Sequence, residues 1–187
     1  MRKILIILYI FLLMPIYCFA VEGRPISYMN CQSLINKSNQ ILHNQRAGFS
    51  CPLPIYNRMY RNSSNENEKI FKSHLGEKDI YNPFNGDIEL RESLTGKTMG
   101  IFLTTNTNDK VMFNRSRSFI NAMLLACGLN KIEINNMLNN PDISGYGNSK
   151  KYTYYLWSEE FQCGYMIMTG YINNGLQMKT MLIAMTR

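Results

Sequence analysis

Four cysteines are the residues whose chemistry the sequence specifies most directly: Cys31, Cys51, Cys127 and Cys163, with a fifth, Cys18, in an apolar N-terminal stretch. In an oxidising compartment an even number of cysteines is typical of disulfides, and four allow three pairings. We favour Cys31–Cys51 and Cys127–Cys163, because each pair lies within one apparent half of the chain. The chain has no C-x-x-C spacing and only two histidines, so we expect no metal site and no other cofactor.

The carboxylates and histidines offer little catalytic chemistry. Glu159 and Glu160 are neighbours whose side chains should point apart, whereas a glycoside hydrolase needs two carboxylates that converge across a cleft. His43 and His74 have no recognisable nucleophile, since the chain lacks a G-x-S-x-G motif. Residues 92–98 (ESLTGKT) resemble the end of a phosphate-binding loop without its first glycine, so we interpret them as a turn between strands. The sequence therefore predicts no catalytic residue.

The N-terminal segment indicates where the protein works. Arg2 and Lys3 precede an apolar run over residues 4–15, and small residues stand at Cys18 and Ala20. This is the layout of a secretory signal peptide over residues 1–20, cleaved after Ala20. An uncleaved membrane anchor is the alternative, although residues 4–20 are at the short limit for crossing a bilayer. Residues 21–187 are then expected to form a single disulfide-bonded domain that is secreted or periplasmic, with no stable membrane span after cleavage.

The charge distribution gives no sign of a nucleic-acid partner. The formal net charge is +7, but the basic residues are spread thinly. A nucleic-acid footprint usually needs a clustered basic stripe. Here the closest approach to clustering is three pairs, Arg58/Arg61, Arg115/Arg117 and Lys150/Lys151.

Hydrophobic periodicity predicts an α+β domain with an N-terminal helix and a central helical pair. The first helix is predicted over residues 25–45, with Ser27 as its cap. The central pair is predicted over 114–127, ended by Gly128, and 130–138, where Asn130 and Glu133 fit a capping box.

Alternating residues predict an antiparallel sheet. Two strands are predicted over 87–90 and 99–105, with a turn at Thr95-Gly96. A C-terminal three-strand meander is predicted over 152–157, 163–172 and 176–186. Residues 49–60 are expected to be a loop, and the polar residues 61–69 a mobile one.

Aromatic residues concentrate in the predicted C-terminal meander. One face of this meander is expected to be core, and an exposed opposite face would serve for binding or assembly. The residues that we assign to this interaction surface are Tyr152, Tyr154, Trp157, Tyr165 and Tyr171.

Residues 81–90 (YNPFNGDIEL) resemble a segment in the globular domains of type IVb pilins and pilin-like proteins, where a similar turn leads into the first strands. The later order is also similar: strands, a helix ending near Cys127, then strands that hold Cys163. The resemblance implies that these two cysteines bound a region of subunit contacts. No glycine precedes residues 4–20, so the chain lacks the prepilin N-terminal helix and resembles a soluble accessory protein.

The sequence thus predicts an exported, non-enzymatic component of a bacterial surface or secretion assembly, of the type IV pilus kind. It is expected to act through protein partners, such as pilus or secretion components. Two alternatives stay open. One is a secreted hydrolase or toxin that uses Glu159, Glu160 or His74, and the other is a periplasmic binding or inhibitor protein.

Overall fold

The computed structural model describes residues 25–62, 65–75, 86–107, 110–140, 142–144, 151–158, 163–172 and 175–183, and beyond Thr153 it describes the backbone alone. The predicted signal segment, residues 81–85 of the pilin-like segment over 81–90, and both Glu159 and Glu160 lie outside the described residues. Within them, no helix is long and apolar enough to cross a membrane.

The described residues form three helices and eight strands, which confirms the predicted α+β class. The helices are α1 (Cys31–Asn44), α2 (Lys110–Ala126) and α3 (Lys131–Asn139). The strands are β1 (Ile55–Arg61), β2 (Asn67–Leu75), β3 (Gly86–Ser93), β4 (Thr98–Thr107), β5 (Asp142–Ser144), β6 (Lys151–Ser158), β7 (Cys163–Ile172) and β8 (Gly175–Ile183).

All eight strands belong to one sheet in the order β1-β2-β3-β4-β8-β7-β6-β5. Every neighbouring pair is antiparallel, so the sheet consists of two meanders that meet where β4 pairs with β8. The helices α2 and α3 lie in the connection between these meanders. The edges of the described sheet are therefore β1 and the short β5.

The hydrophobic core lies between the helices and one face of the sheet. Strands β3 and β4 contribute alternate residues, and opposite positions in an antiparallel pair share a face. Phe119 of α2 is the largest fully buried side chain. The core also contains Leu34, Ile35 and Leu42 of α1, Ile88 and Leu90 of β3, Ile101 and Leu103 of β4, and Ile134 and Met137 of α3.

Two helix starts show how well local signals predict boundaries. The predicted capping box is confirmed: Asn130 Oδ1 accepts from Glu133 N at 2.9 Å, and Asn130 N donates to Glu133 Oε2 at 3.0 Å. The predicted cap at Ser27 is wrong, since α1 begins at Cys31 and Asn30 caps it by accepting from Ser33 N at 2.8 Å. Ser27 instead forms an isolated antiparallel bridge with Thr98, so the preceding segment is held extended against the sheet.

Strands β1 and β2 were not predicted, because residues 49–60 and 61–69 were expected to be loops. Strand β1 is an edge strand exposed on both faces, so its side chains show no apolar alternation. The polar residues fold into a hairpin because Asn62 binds both carboxylates of that segment. Its amide nitrogen donates to Glu66 Oε2 at 3.1 Å and to Glu68 Oε1 at 2.8 Å.

Candidate functional site

The N-terminus of α1 brings a thiol, a carboxylate and an amine together. The backbone N–H of Cys31 donates to Glu92 Oε2 of β3 at 3.0 Å. Lys69 of β2 forms an ion pair with Glu92 Oε1 at 3.4 Å. Thr98 of β4 donates its hydroxyl to Met29 O at 2.7 Å and lies 3.8 Å from Cys31 Sγ. A carboxylate therefore accepts from an unpaired amide at a helix N-terminus, which is a stabilising arrangement.

The arrangement around Cys31 does not produce a nucleophile. Burial raises the pKa of Cys31 to about 12, while the Thr98 hydroxyl lowers it in part and the Glu92 carboxylate raises it further. A reactive cysteine needs a thiolate near neutral pH and access to solvent, and Cys31 is fully buried. The cluster is a structural junction between α1 and the sheet.

Cys51 lies beside a later turn of α1 than the turn that contains Cys31. The side-chain amide of Asn39 binds the Cys51 backbone twice, donating to its carbonyl and accepting from its N–H, both at 2.8 Å. Asn39 follows Cys31 by about two helical turns, or roughly 12 Å along the axis. A disulfide usually needs Cα atoms less than about 7 Å apart.

The predicted Cys31–Cys51 disulfide is consequently not formed, and both cysteines are free and buried. The sequence placed them in one half of the chain, but it did not reveal that Asn39 holds the second cysteine away from the first. Cys127 is buried in the turn after α2, and Cys163 begins β7. The Cys163 side chain lies outside the described residues, so a Cys127–Cys163 bridge stays a prediction.

The two candidate histidines lie on different elements, and the candidate carboxylates Glu159 and Glu160 lie outside the described residues. His43 is exposed in the last turn of α1, and His74 is in β2, where only its backbone is described. Within residues 92–98, residues 94–97 form the predicted turn between β3 and β4, with Gly96 at φ +82°. In the described part of the chain, no group of three or more His, Cys, Asp or Glu side chains could hold a metal ion.

The predicted aromatic surface falls on strands β6 and β7, where backbone register locates its members. Tyr152 pairs with Thr169, Tyr154 with Ile167, and Trp157 with Gly164. Strand β5 pairs only with residues 151–153 of β6, so residues 154–158 have no further neighbour among the described strands. Tyr152 is partly exposed, whereas the side chains of Tyr154, Trp157, Tyr165 and Tyr171 lie outside the description.

The opposite edge strand, β1, is fixed to the sheet by one tyrosine on each face. Tyr56 lies opposite Phe71 of β2, and their rings meet edge to face with centroids 6.0 Å apart. Phe71 in turn packs against the core. On the other face the Tyr60 ring lies 4.8 Å from the guanidinium carbon of Arg91 in β3. Aromatic and cation–π contacts of this kind each stabilise by about 1 kcal/mol.

Arg91 is itself held in place on that second face. Its guanidinium carbon lies 4.5 Å from the Phe102 ring centroid, and its Nε lies 3.3 Å from Glu89 Oε1. Gly100 stands opposite Arg91, and a Cβ there would come within 3.2 Å of the Phe102 ring. The absent side chain at Gly100 thus leaves room for the stack that anchors Tyr60.

Although it is anchored, β1 exposes large apolar side chains. Ile55 is 76% exposed, Tyr56 53% and Met59 45%, and Leu53 just before the strand is 46% exposed. An edge strand also presents backbone N–H and C=O groups that pair with nothing on its outer side. The combination of exposed apolar residues and an open edge makes β1 the best candidate for a functional site in the described chain.

Two features limit which strands can pair with this edge. A register shift between Tyr56 and Arg58 leaves Asn57 as the extra residue of a β-bulge. Arg58 is exposed, and no hydrogen bond or ion pair joins it to any described residue. Bulges and charged residues are how sheets limit indiscriminate edge pairing. The edge thus carries two of the features by which sheets limit nonspecific pairing.

Sequence reasoning missed this site because the available signal was weak. Residues 53–60 contain five large apolar or aromatic residues, but Pro52 and Pro54 interrupt the start of this stretch and no alternation marks a strand. The comparisons with known proteins do not add to the assignment. The chain matches no protein-family model, no curated protein and no solved structure.

Proposed function

We propose that the protein is an exported, non-enzymatic interaction component of a bacterial surface or secretion assembly, and that it binds its partner by strand addition at β1. The observation that carries the proposal is the exposure of Ile55, Tyr56 and Met59 on an edge strand. Main-chain pairing at such an edge supplies affinity, and the flanking side chains supply specificity.

The anchoring of β1 supports the same proposal. Tyr56 and Tyr60 attach the strand to Phe71 and Arg91, so the edge is ordered before a partner arrives. A preformed edge avoids part of the entropy cost of ordering a flexible segment during binding. The type IV pilin-like character of the domain and its export by a cleaved signal peptide belong to this proposal and rest on the residues described above for each.

Site-specific photo-cross-linking tests the proposal. Benzoylphenylalanine replaces Ile55 in the full chain, expressed in the bacterium that encodes it. Ile132 of α3 provides a matched control, since it is 72% exposed but lies on a helix. We expect a covalent adduct with another protein from position 55 and none from position 132, recovered from the cell envelope or medium.

Three results would contradict the proposal. The absence of any adduct at position 55 would exclude β1 as a docking edge, and equal adducts at both positions would indicate nonspecific contact. Recovery of the chain only from the cytoplasmic fraction would refute export, whatever the cross-links show.

A further inference from the structure

The charges along β1 specify what kind of strand can dock there. The strand contains two arginines, Arg58 and Arg61, and no acidic residue. The Nε of Arg61 donates to Asn65 O at 3.2 Å within the hairpin. Arg58 is the cation without a described partner, and its backbone lies opposite Ile70 of β2, which cannot neutralise it. An added strand would therefore meet a guanidinium that has no ion-pair partner among the described residues.

We propose that the docking segment is an extended acidic strand of a protein partner that places a carboxylate opposite Arg58. This inference rests on the proposed function. Residues directly opposite on paired strands have Cβ atoms about 5 Å apart, so a glutamate or aspartate in that position reaches the guanidinium. Arginine and carboxylate can form two parallel hydrogen bonds, which fixes register as well as adding affinity.

Apolar residues of the same partner strand would contact exposed apolar residues of β1. Tyr56 lies opposite Phe71 and Met59 opposite Lys69, so both stand on the other face of β1 from Arg58, and both are exposed. Because side chains alternate along a strand, a segment that alternates acidic and apolar residues can satisfy Arg58 on one face and Met59 on the other. The docking segment is thus expected to alternate.

A second copy of this chain is a poorer occupant of the edge. Self-pairing through β1 brings together four arginines and no carboxylate. Like charges at opposite positions destabilise a strand pair. The same charges repel a lysine-rich segment, and they favour an acidic one by attraction during encounter as well as in the complex.

Two synthetic peptides test the inference directly. One has seven residues of alternating valine and glutamate, and the other has lysine in place of glutamate; both have blocked ends. Each is titrated into the isotope-labelled full chain while backbone amide resonances are followed. We expect the glutamate peptide to bind at least fivefold more tightly than the lysine peptide, with shifts concentrated in β1.

Charge reversal at the edge provides the matched control. Arg58→Glu should invert the preference in favour of the lysine peptide, whereas Lys37→Glu, on the exposed side of α1, should leave it unchanged. Arg58→Gln should reduce the discrimination to less than twofold and covers the case in which the reversed charge prevents folding. Circular dichroism of each variant verifies that it folds.

The outcomes separate this inference from the proposed function. Equal binding of both peptides at β1 would overturn the acidic partner while leaving strand addition intact. Binding outside β1, failure of the glutamate peptide to bind, or sedimentation as a β1-dependent dimer would also overturn it. Cross-linking from position 55 then decides the broader proposal independently, because it requires no assumption about partner charge.

Discussion

Two buried thiols illustrate how residue environment overrides residue type. Cys31 lies at a helix N-terminus, where a thiol pKa is ordinarily lowered. Desolvation reverses that tendency, and burial raises the pKa of both Cys31 and Cys51 to about 12 from a model-peptide value of 9.0. Exposed thiols would be open to oxidation in an oxidising compartment, but these two thiols are buried in the core.

The shielding predicts a specific dependence of stability on pH. Between pH 9 and pH 12 the unfolded chain loses thiol protons that the folded chain retains, so the free energy of unfolding falls as the pH rises. Below pH 9 both states keep these protons and no such loss occurs. Each thiol contributes a slope of up to about 1.4 kcal/mol per pH unit in this window.

Urea denaturation from pH 8 to pH 10.5 measures this effect. Cys31→Ala and Cys51→Ala should each flatten the alkaline decline relative to the unsubstituted chain, because each removes one titrating thiol. Lysine and tyrosine titration is common to all three proteins and therefore cancels in the comparison. Parallel declines in all three would show that the thiols ionise as readily in the folded state as in the unfolded one.

At the scale of elements, Glu92 joins α1 to the sheet. Its two carboxylate oxygens are used differently, one by the Cys31 amide and the other by Lys69. Glu89 lies three positions earlier on the same strand, and it too has two cationic partners, Lys72 at 3.2 Å and Arg91 at 3.3 Å. The difference is that the described ion pairs of Glu89 all lie within the sheet, and its side chain is more exposed than that of Glu92.

Alanine substitution should separate these two glutamates. Glu92→Ala leaves the buried Cys31 amide without an acceptor and removes the anion from a helix N-terminus, so we expect a loss of about 2 kcal/mol in unfolding free energy. Glu89→Ala breaks half-exposed ion pairs and should cost less than about 1 kcal/mol. Urea denaturation at neutral pH measures both, and equal losses would show that Glu92 is not a junction between α1 and β3.

The elements also show which parts of the fold a sequence can predict. Helix α3 and its capping box were predictable, because Asn130 and Glu133 act within one turn of chain. The start of α1 was not, because Ser27 is recruited by Thr98, a residue far along the sequence. Strand β1 escaped prediction for a related reason, since its anchors Phe71 and Arg91 come from other strands. Local signals succeed where the stabilising partner is local.

At the scale of the whole molecule, the sheet combines one long open edge with a partly covered one. Strand β1 leaves seven residues at its edge, whereas β5 covers the first three residues of β6. The predicted aromatic surface and the β1 edge thus lie on opposite sides of the sheet order. Under the proposed function, these two sides of the sheet are the places where neighbours in an assembly would be sought.

Intact mass of the exported protein tests the whole-molecule proposal. We expect a chain that begins at Val21, since the predicted signal ends at Ala20. When unfolded and alkylated without reduction it should gain two alkyl groups, at Cys31 and Cys51, because Asn39 holds these cysteines apart. After reduction it should gain four, if the predicted Cys127–Cys163 bridge encloses α3, β5 and β6.

The pattern of alkylation distinguishes the possible covalent states. No alkyl groups before reduction would mean that all four cysteines are bridged in one of the three pairings, and that Cys31 and Cys51 are not free in the exported form. Four groups before reduction would refute the second bridge, and the loop containing α3 would then depend on packing alone. A mass that includes Cys18 would show that the N-terminal segment is not cleaved, and it would support membrane anchoring instead of secretion. Partners of the β1 edge would then have to be sought at the membrane surface.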